Sequence, residues 1–369
     1  MEKFSPSSIK KLASIGCGVS NLSFLYSCTL SDNITIDLFE KEKRISGRAS
    51  TRKRNGYIYD LGANYISSSS ESIKDLLENK LNKDDLITID KWIYPFDKDN
   101  KISFTKTQET NKHNRLTKYN YKYGINTISS LLLKHAVLPH NLNFSSLVTS
   151  ISQVDNNRWE LFSTNDTSLG TYDYITFGIP VPQIASIFAN SKFNSDNDKE
   201  YYVRELQAVE YKPVYSVAVA FEPKIEMDFY ALINSDREHD ISWVSVETEK
   251  KGRTSGEKEN FVMFIVQMSE NFSKDCFNLA TESINKRVIE KLKALLPQLN
   301  EDNVKVSYVD SKLWKYALPK KGISSELIQK LNERNIFILG DSLLGKGRVD
   351  GSILTGFELH NYLKRNSLI

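Results

Sequence analysis

A short apolar run at residues 12–15 meets Gly16-Cys17-Gly18. After a helix-compatible stretch at 19–28, a second run at 34–39 alternates apolar and polar up to Glu40. Strand, tight turn, helix and strand in that order read as a βαβ unit, since parallel neighbours need a long crossover and this one is helical. The N-terminus is thereby committed to a parallel sheet of the α/β class.

The residue types at this turn add chemistry to the topology. Gly16 permits the sharp turn, Gly18 lets main chain approach a ligand closely, and the free N–H groups opening the next helix favour phosphate. Glu40 follows Gly16 by 24 residues, near the ~20 at which an acid meets the ribose of a bound dinucleotide. Asn21 stands where a third glycine is usual and requires more room between helix and strand. A bare GxG is also compatible with a purely structural turn; the strand context and Glu40 favour the dinucleotide.

Downstream, Ile45-Ser46-Gly47-Arg48 sets an arginine beside a glycine, suited to a diphosphate oxygen, and residues 56–66 carry Gly56, Gly62 and Asn64. Residues 71–122 turn polar but keep aromatics such as Trp92, Tyr94 and Phe104, which suggests part of a second domain. Helical spacing returns at 125–135, strands are expected at 143–154, 158–162 and 172–177, and Gly178-Ile179-Pro180 stops the chain. Strands between 211 and 268 and a helix near 279–296 fit an antiparallel sheet with a covering helix.

The C-terminal pattern is the most specific. An apolar strand at 335–339 runs into Gly340-Asp341, and the loop Gly345-Lys346-Gly347-Arg348-Val349-Asp350-Gly351-Ser352 leads into a helix expected from Ile353 to Leu363. A carboxylate at a strand end can hold a ribityl hydroxyl. Free N–H groups of Gly351, Ser352 and Ile353 at a helix start can stabilise negative charge on a reduced flavin.

With these segments in order along the chain, the sequence resembles the FAD-dependent amine oxidase superfamily and, within it, the compact renalase-like branch. The segments carrying the resemblance are Gly16-Cys17-Gly18, Leu38-Phe39-Glu40-Lys41, Gly47-Arg48, residues 60–66, residues 314–319 and the Gly340-Asp341 to Ser352 block. The resemblance implies non-covalent FAD in a Rossmann-like domain of the glutathione-reductase and amine-oxidase type. It places Glu40 on the adenosine ribose, Arg48 near the pyrophosphate, Asp341 on the ribityl chain and the Val148 main chain on the adenine. Gly16, Gly18, Asn21, Lys41, Gly47, Asn64, Gly340, Asp350, Gly351, Ser352 and Ile353 complete the expected cofactor contacts. The FAD domain is expected from residues 1–70, 124–185 and 300–369, and an inserted α+β substrate domain from 71–123 and 186–299.

The expected activity is hydride transfer from a small reduced heterocycle, such as a dihydronicotinamide of the NAD(P)H type, or from an amine, to flavin N5. Such chemistry needs orientation and dryness more than an acid–base pair. Tyr65, Tyr123, Trp243 and Trp314 are candidate pocket walls because flat rings can face a planar or cationic substrate. The alternatives are a small amine oxidase or desaturase, and a cofactor-less binding scaffold of flavoprotein-like fold.

Other classes find little support. Lys and Arg number 49 against 46 Asp and Glu, and short basic clusters such as Arg52-Lys53-Arg54 suit a solvated rim rather than nucleic acid. No apolar run reaches the ~18 residues of a membrane span. Cys17, Cys28 and Cys276 show no CxxC spacing and no His beside them in sequence, so neither disulfide nor metal is expected. The five histidines fall in no motif. A small-molecule partner and a cytoplasmic location follow as expectations, with the oligomeric state open.

Overall fold

The computed structural model describes residues 9–105, 112–155, 158–253 and 258–369. The chain divides into two compact units: Met1–Gly47 with Ile128–Tyr211 and Pro319–Ile369, and Arg48–Thr127 with Lys212–Leu318.

The first unit is built on a five-stranded parallel sheet. Lys10–Ile15 lies between Ile34–Phe39 and Tyr174–Phe177, with His140–Asn143 at one edge and Ile336–Ile338 at the other. Tyr174–Phe177 and Ile336–Ile338 are buried along their whole length, as strands covered on both faces are, whereas Ile34–Phe39 keeps its alternation. Ala13, Ile15, Ile175, Phe177, Ile336 and Ile338 share one core with Ile184 and Phe188 of the helix Val181–Ala189. A three-stranded antiparallel sheet of Ser150–Gln153, Trp159–Phe162 and Ser168–Tyr172 adds Trp159 and Leu161 to that core.

The helix Val19–Ser27 packs against the last helix, Val349–Arg365, at a glycine. A Cβ on Gly356 would stand 2.6 Å from both the Ser20 carbonyl oxygen and the Phe24 amide nitrogen. Nearby, Asp32 accepts hydrogen bonds from Thr29 N–H (2.8 Å) and His360 Nε2 (2.9 Å), and Lys364 Nζ lies 2.6 Å away. Burial alone would raise this carboxyl, but Lys364, the Thr29 N–H and His360 outweigh it and lower it to about 2. A carboxylate depressed in the folded state contributes stability above its unfolded value of ~4 and loses it as pH falls towards 2. Asp32→Asn is therefore expected to flatten the fall of the urea midpoint between pH 4 and 2. An acid limb unchanged from wild type would remove Asp32 from this role.

The second unit centres on a six-stranded sheet ordered Lys305–Pro319, Tyr211–Glu222, Val262–Met268, Ile241–Val246, Ala231–Asn234 and Ile93–Phe96. Its central pairs are antiparallel, as expected, but Ile93–Phe96 joins Ala231–Asn234 in parallel, so the sheet is mixed. Strand alternation sorts its faces. Val217, Val219, Val244, Phe264 and Val266 meet Val288 and Leu292 of the helix Thr281–Leu295, while Ala218, Ala220, Met263 and Ile265 meet Tyr57, Tyr59 and Leu61.

The division differs from the expected boundaries in four segments, each for a packing reason; the shortest, residues 124–127, joins the second unit, where Ile125 N–H donates to Asp60 at 3.0 Å. Residues 48–70 join the second unit because Tyr57, Tyr59 and Leu61 cover its sheet. Residues 300–318 do so because Lys305–Pro319 is a strand of that sheet. Residues 186–211 stay with the first unit because Tyr202, Leu206 and Val209 enter its core.

Candidate functional site

In the first unit, the chain's two glycine motifs arrive at the carboxyl ends of strands in one parallel sheet. Gly16 has φ +87°, a region open chiefly to glycine, and a Cβ there would lie 2.5 Å from Ile179 Cγ2. Its N–H donates to the Phe39 carbonyl at 2.8 Å. The next amide, that of Cys17, donates to Glu40 Oε2 at 2.9 Å, while Glu40 Oε1 accepts from Glu42 N–H at 3.0 Å. The Glu40 carboxylate is thus aimed from both sides, and each oxygen retains a lone pair for a hydroxyl donor. Burial, with the Glu40 charge adding to it, pushes the Cys17 thiol up to about 12, so it stays protonated.

Asn21 is wholly buried. Its Nδ2 donates to the carbonyls of Ile15 (2.9 Å) and Gly16 (2.7 Å). It therefore ties helix to strand instead of reaching a ligand, and the room it needs is supplied by Gly178, where a Cβ would lie 2.6 Å from Asn21 Nδ2. Ser46 keeps the backbone that a glycine would take, with φ +95°. That conformation costs a non-glycine residue of order 1–3 kcal/mol. It is held by Ser46 N–H to the Cys17 carbonyl (2.8 Å) and by the Ser129 hydroxyl donating to the Ser46 Oγ (2.9 Å). Gly47 then faces Gly18, a Cβ on Gly47 falling 3.7 Å from the Gly18 Cα.

At the other motif, Gly340 has φ +109° and donates its N–H to Thr355 Oγ1 at 3.0 Å, with Asp341 buried beside it. The helix begins at Val349, earlier than expected, so residues 350–352 form its first turn. Gly351 serves packing there: a Cβ would sit 2.6 Å from Leu344 Cδ1. Asp350 is paired with Arg348 (Nε to Oδ1 3.0 Å), the Ser352 hydroxyl donates to the Arg348 carbonyl (3.0 Å), and the Ile353 side chain is in the core. What these residues offer a ligand is mainly the main-chain N–H groups of Asp350 and Gly351 in the first turn, because the Ser352 N–H already donates to the Arg348 carbonyl at 3.2 Å. Lys41 is exposed. Val148 is buried, and among the described residues its main chain makes no hydrogen bond.

This cradle fits a dinucleotide. Space beside the main chain is open at Gly18, Gly47 and Gly340, where an added Cβ would meet nothing nearer than 3.5 Å, and the two buried carboxylates of Glu40 and Asp341 stand at strand ends.

In the second unit, Arg48 Nη1 donates to the Ala317 carbonyl at 2.8 Å. The Arg48 carbonyl accepts from Ala63 N–H at 3.0 Å and lies only 1.9 Å from where a Gly62 Cβ would be. Asn64 is a hub, its Oδ1 accepting from Ser245 Oγ (2.9 Å) and its carbonyl from Asn120 Nδ2 (2.7 Å) and the Tyr230 hydroxyl (3.3 Å).

The segment is anchored at Asp60 by a buried four-charge cluster that the sequence reading missed. Asp60 Oδ2 meets Lys250 Nζ (2.9 Å) and Arg253 Nη2 (2.7 Å), and Glu247 meets the same two cations at 2.8 and 2.9 Å. Burial works against the Asp60 carboxylate, yet Arg253 and Lys250 hold it well below its usual range. Burial raises Glu247, with the Asp60 charge adding to it.

Of the four proposed pocket aromatics, Tyr65 and Trp243 come together, 6.1 Å between ring centroids, and each lies near Tyr230, which was not anticipated. Tyr123 instead lies half-exposed with the Lys53 ammonium 5.1 Å from its ring, because it occupies the turn after the strand Tyr119–Tyr121. Trp314 is committed elsewhere, its indole N–H donating to the Leu61 carbonyl at 3.0 Å. The fold also gathers Cys28, Asp32 and His360 within 4.8 Å, although no sequence spacing linked them. There the Lys364 ammonium already supplies positive charge to the carboxylate.

Residues 15–79 match the family described as NAD(P)-binding Rossmann-like domain, and residues 101–358 the family described as flavin containing amine oxidoreductase. Among solved structures, the chain is similar to reduced UDP-galactopyranose mutase, with TM-score 0.74 and 12% identity over 96% of this chain and 93% of that one. It is also similar to a putative protoporphyrinogen oxidase from Exiguobacterium sp. 255-15 (TM-score 0.73, 12% identity, 97% and 99% covered). Wild-type putrescine oxidase bound to putrescine gives TM-score 0.70 at 11% identity, with 96% and 99% covered. At these identities the likeness is one of fold.

Proposed function

The chain belongs to the flavin-containing amine oxidoreductase family, and from that premise we propose that it holds FAD non-covalently and takes a hydride from a small reduced heterocycle of the dihydronicotinamide type. The observation that carries this reading is the convergence of Gly16–Gly18, Glu40 and Gly340-Asp341, from opposite ends of the sequence, on one edge of one parallel sheet. When bound, the flavin supplies the two-electron acceptor.

The chain's own residues bind and orient. Glu40, fixed by the Cys17 and Glu42 amides, receives ribose hydroxyls, and the turns at Gly18 and Gly47 admit a pyrophosphate to main-chain distance. Asp341 takes a ribityl hydroxyl. Within the first unit the Val148 main chain meets the adenine; within the second, Tyr65, Tyr230 and Trp243 form an aromatic cluster suited to a flat ring. Cys17 is protonated and buried, unsuited to a covalent flavin link.

A second reading, an amine as hydride donor, is favoured by the family match itself. The purified protein is expected to be yellow, with one FAD released intact by acid. A colourless protein that FAD cannot reconstitute would overturn the proposal. Anaerobic bleaching by a dihydronicotinamide but not by simple amines is the expected outcome, and the reverse selects the amine.

A further inference from the structure

Lys118 is 5% exposed, yet among the described residues its ammonium makes no hydrogen bond or ion pair. Burial depresses its pKa, and only the charge of Asp90 acts against that. A cation left like this is costly and is rarely retained for stability alone. Its position is defined by the backbone. The Lys118 carbonyl accepts from Ile89 N–H, and Tyr119 pairs with Ile66 in both directions. Strand alternation then sets Lys118 on the same face as Asn120, whose amide reaches the Asn64 carbonyl.

A second, independent observation lies on the same side, because Ile89, the cross-strand neighbour of Lys118, packs in one cluster with Tyr230, against which Tyr65 and Trp243 lie. Ser216, Gln267, Trp243 and Ile233 form one cross-strand row of the six-stranded sheet. Gln267 is used, donating to the Gly62 carbonyl at 2.9 Å. Ser216 Oγ and Trp243 Nε1 on either side of it are buried without partners. Buried polar groups are ordinarily satisfied, so two orphans in one row beside the Tyr65–Tyr230–Trp243 cluster call for an acceptor supplied from outside the chain.

We propose that this face of the second unit binds the carboxylate of an aromatic or similarly flat substrate, with Lys118 as counter-ion and the Trp243 indole N–H as donor. The proposal rests on the oxidoreductase reading for the word substrate and deepens it by putting an acid on the reduced ring, where a nicotinamide carries a neutral carboxamide. It excludes simple polycations, for which an unpaired buried ammonium would be repulsive.

The test titrates the purified holoprotein with benzoate and with its neutral isostere benzamide. The readouts are tryptophan fluorescence and, separately, the flavin absorption spectrum. Benzoate is expected to bind about 10- to 100-fold more tightly than benzamide, the range of a charge-assisted hydrogen bond. Lys118→Met should abolish that preference and Lys118→Arg restore most of it. Because Lys118→Met removes an uncompensated charge, it should also melt at the same or a higher temperature than wild type without ligand, which separates lost recognition from misfolding. Equal binding of the two probes by wild type, or a benzoate preference that survives in Lys118→Met, would overturn the proposal. Since the fluorescence arm needs no flavin, a colourless protein that still prefers benzoate would sink the oxidoreductase reading while leaving the anion site standing.

Discussion

Asp60→Ala is expected to cost about 3–5 kcal/mol of folding stability, the usual consequence of breaking a buried ion pair from one side. The variant leaves Lys250 and Arg253 sharing Glu247 alone, with all three side chains at most 1% exposed. It also removes the acceptor for Thr51 Oγ1, Ile125 N–H and Asn120 Nδ2, held at 2.7, 3.0 and 3.0 Å. The check is urea unfolding of the single variant beside Asp60→Ala/Lys250→Met, which restores charge balance and should recover part of the loss. A single variant within about 1 kcal/mol of wild type would show that water or a rearranged Glu247 compensates, and that the cluster does not anchor the segment leading to Asn64.

Gly62→Ala is expected to be nearly as damaging, although it adds one methyl group. The new Cβ would fall 1.9 Å from the Arg48 carbonyl oxygen and 3.2 Å from the Ser50 amide nitrogen, both main-chain atoms that cannot turn aside. Relief requires separating the two segments, which breaks the 3.0 Å Ala63 N–H to Arg48 carbonyl bond and moves Arg48 off the Ala317 carbonyl. Overpacking of this kind costs typically 1–3 kcal/mol and sometimes more. Gly18→Ala is the comparison. Its Cβ meets only the Gly178 carbonyl oxygen, at 3.5 Å, so it should fold normally while crowding the cofactor cradle. Thermal melts and FAD titrations of the pair should therefore separate: Gly62→Ala loses stability, Gly18→Ala loses FAD affinity. Equal melting temperatures for Gly62→Ala and wild type would contradict the close approach described for Gly62.

The parallel-sheet unit was legible because its signals are local. A GxG turn, an acid at the end of the next strand and a strand running into Gly-Asp each lie within a few residues, and short-range sterics enforce them. What escaped was complementarity between distant positions. Asn21 reads as a defect until Gly178 is seen making room for it, and Ser46 until Ser129 and the Cys17 carbonyl are seen holding its positive φ. Lys250 and Arg253 sit in a polar stretch indistinguishable by composition from a solvated loop; nothing local marks their burial against Asp60. Tyr123, beside the Lys53 ammonium, and Trp314, bonded to the Leu61 carbonyl, differ in setting from the paired Tyr65 and Trp243, a difference that aromatic identity alone does not carry.

The sheet order of the first unit bears on the timing of synthesis. Ile336–Ile338 pairs with Tyr174–Phe177, and Val349–Arg365 closes against Val19–Ser27 across Gly356, so the unit begun by the first strand is finished by the last helix. The second unit has all its strands once residue 319 is made. On a ribosome adding ≈ 5–20 residues per second, the strands of the second unit are therefore all available before Ile336–Ile338 and the helix from Val349 emerge to complete the dinucleotide cradle that Lys10–Ile15 began.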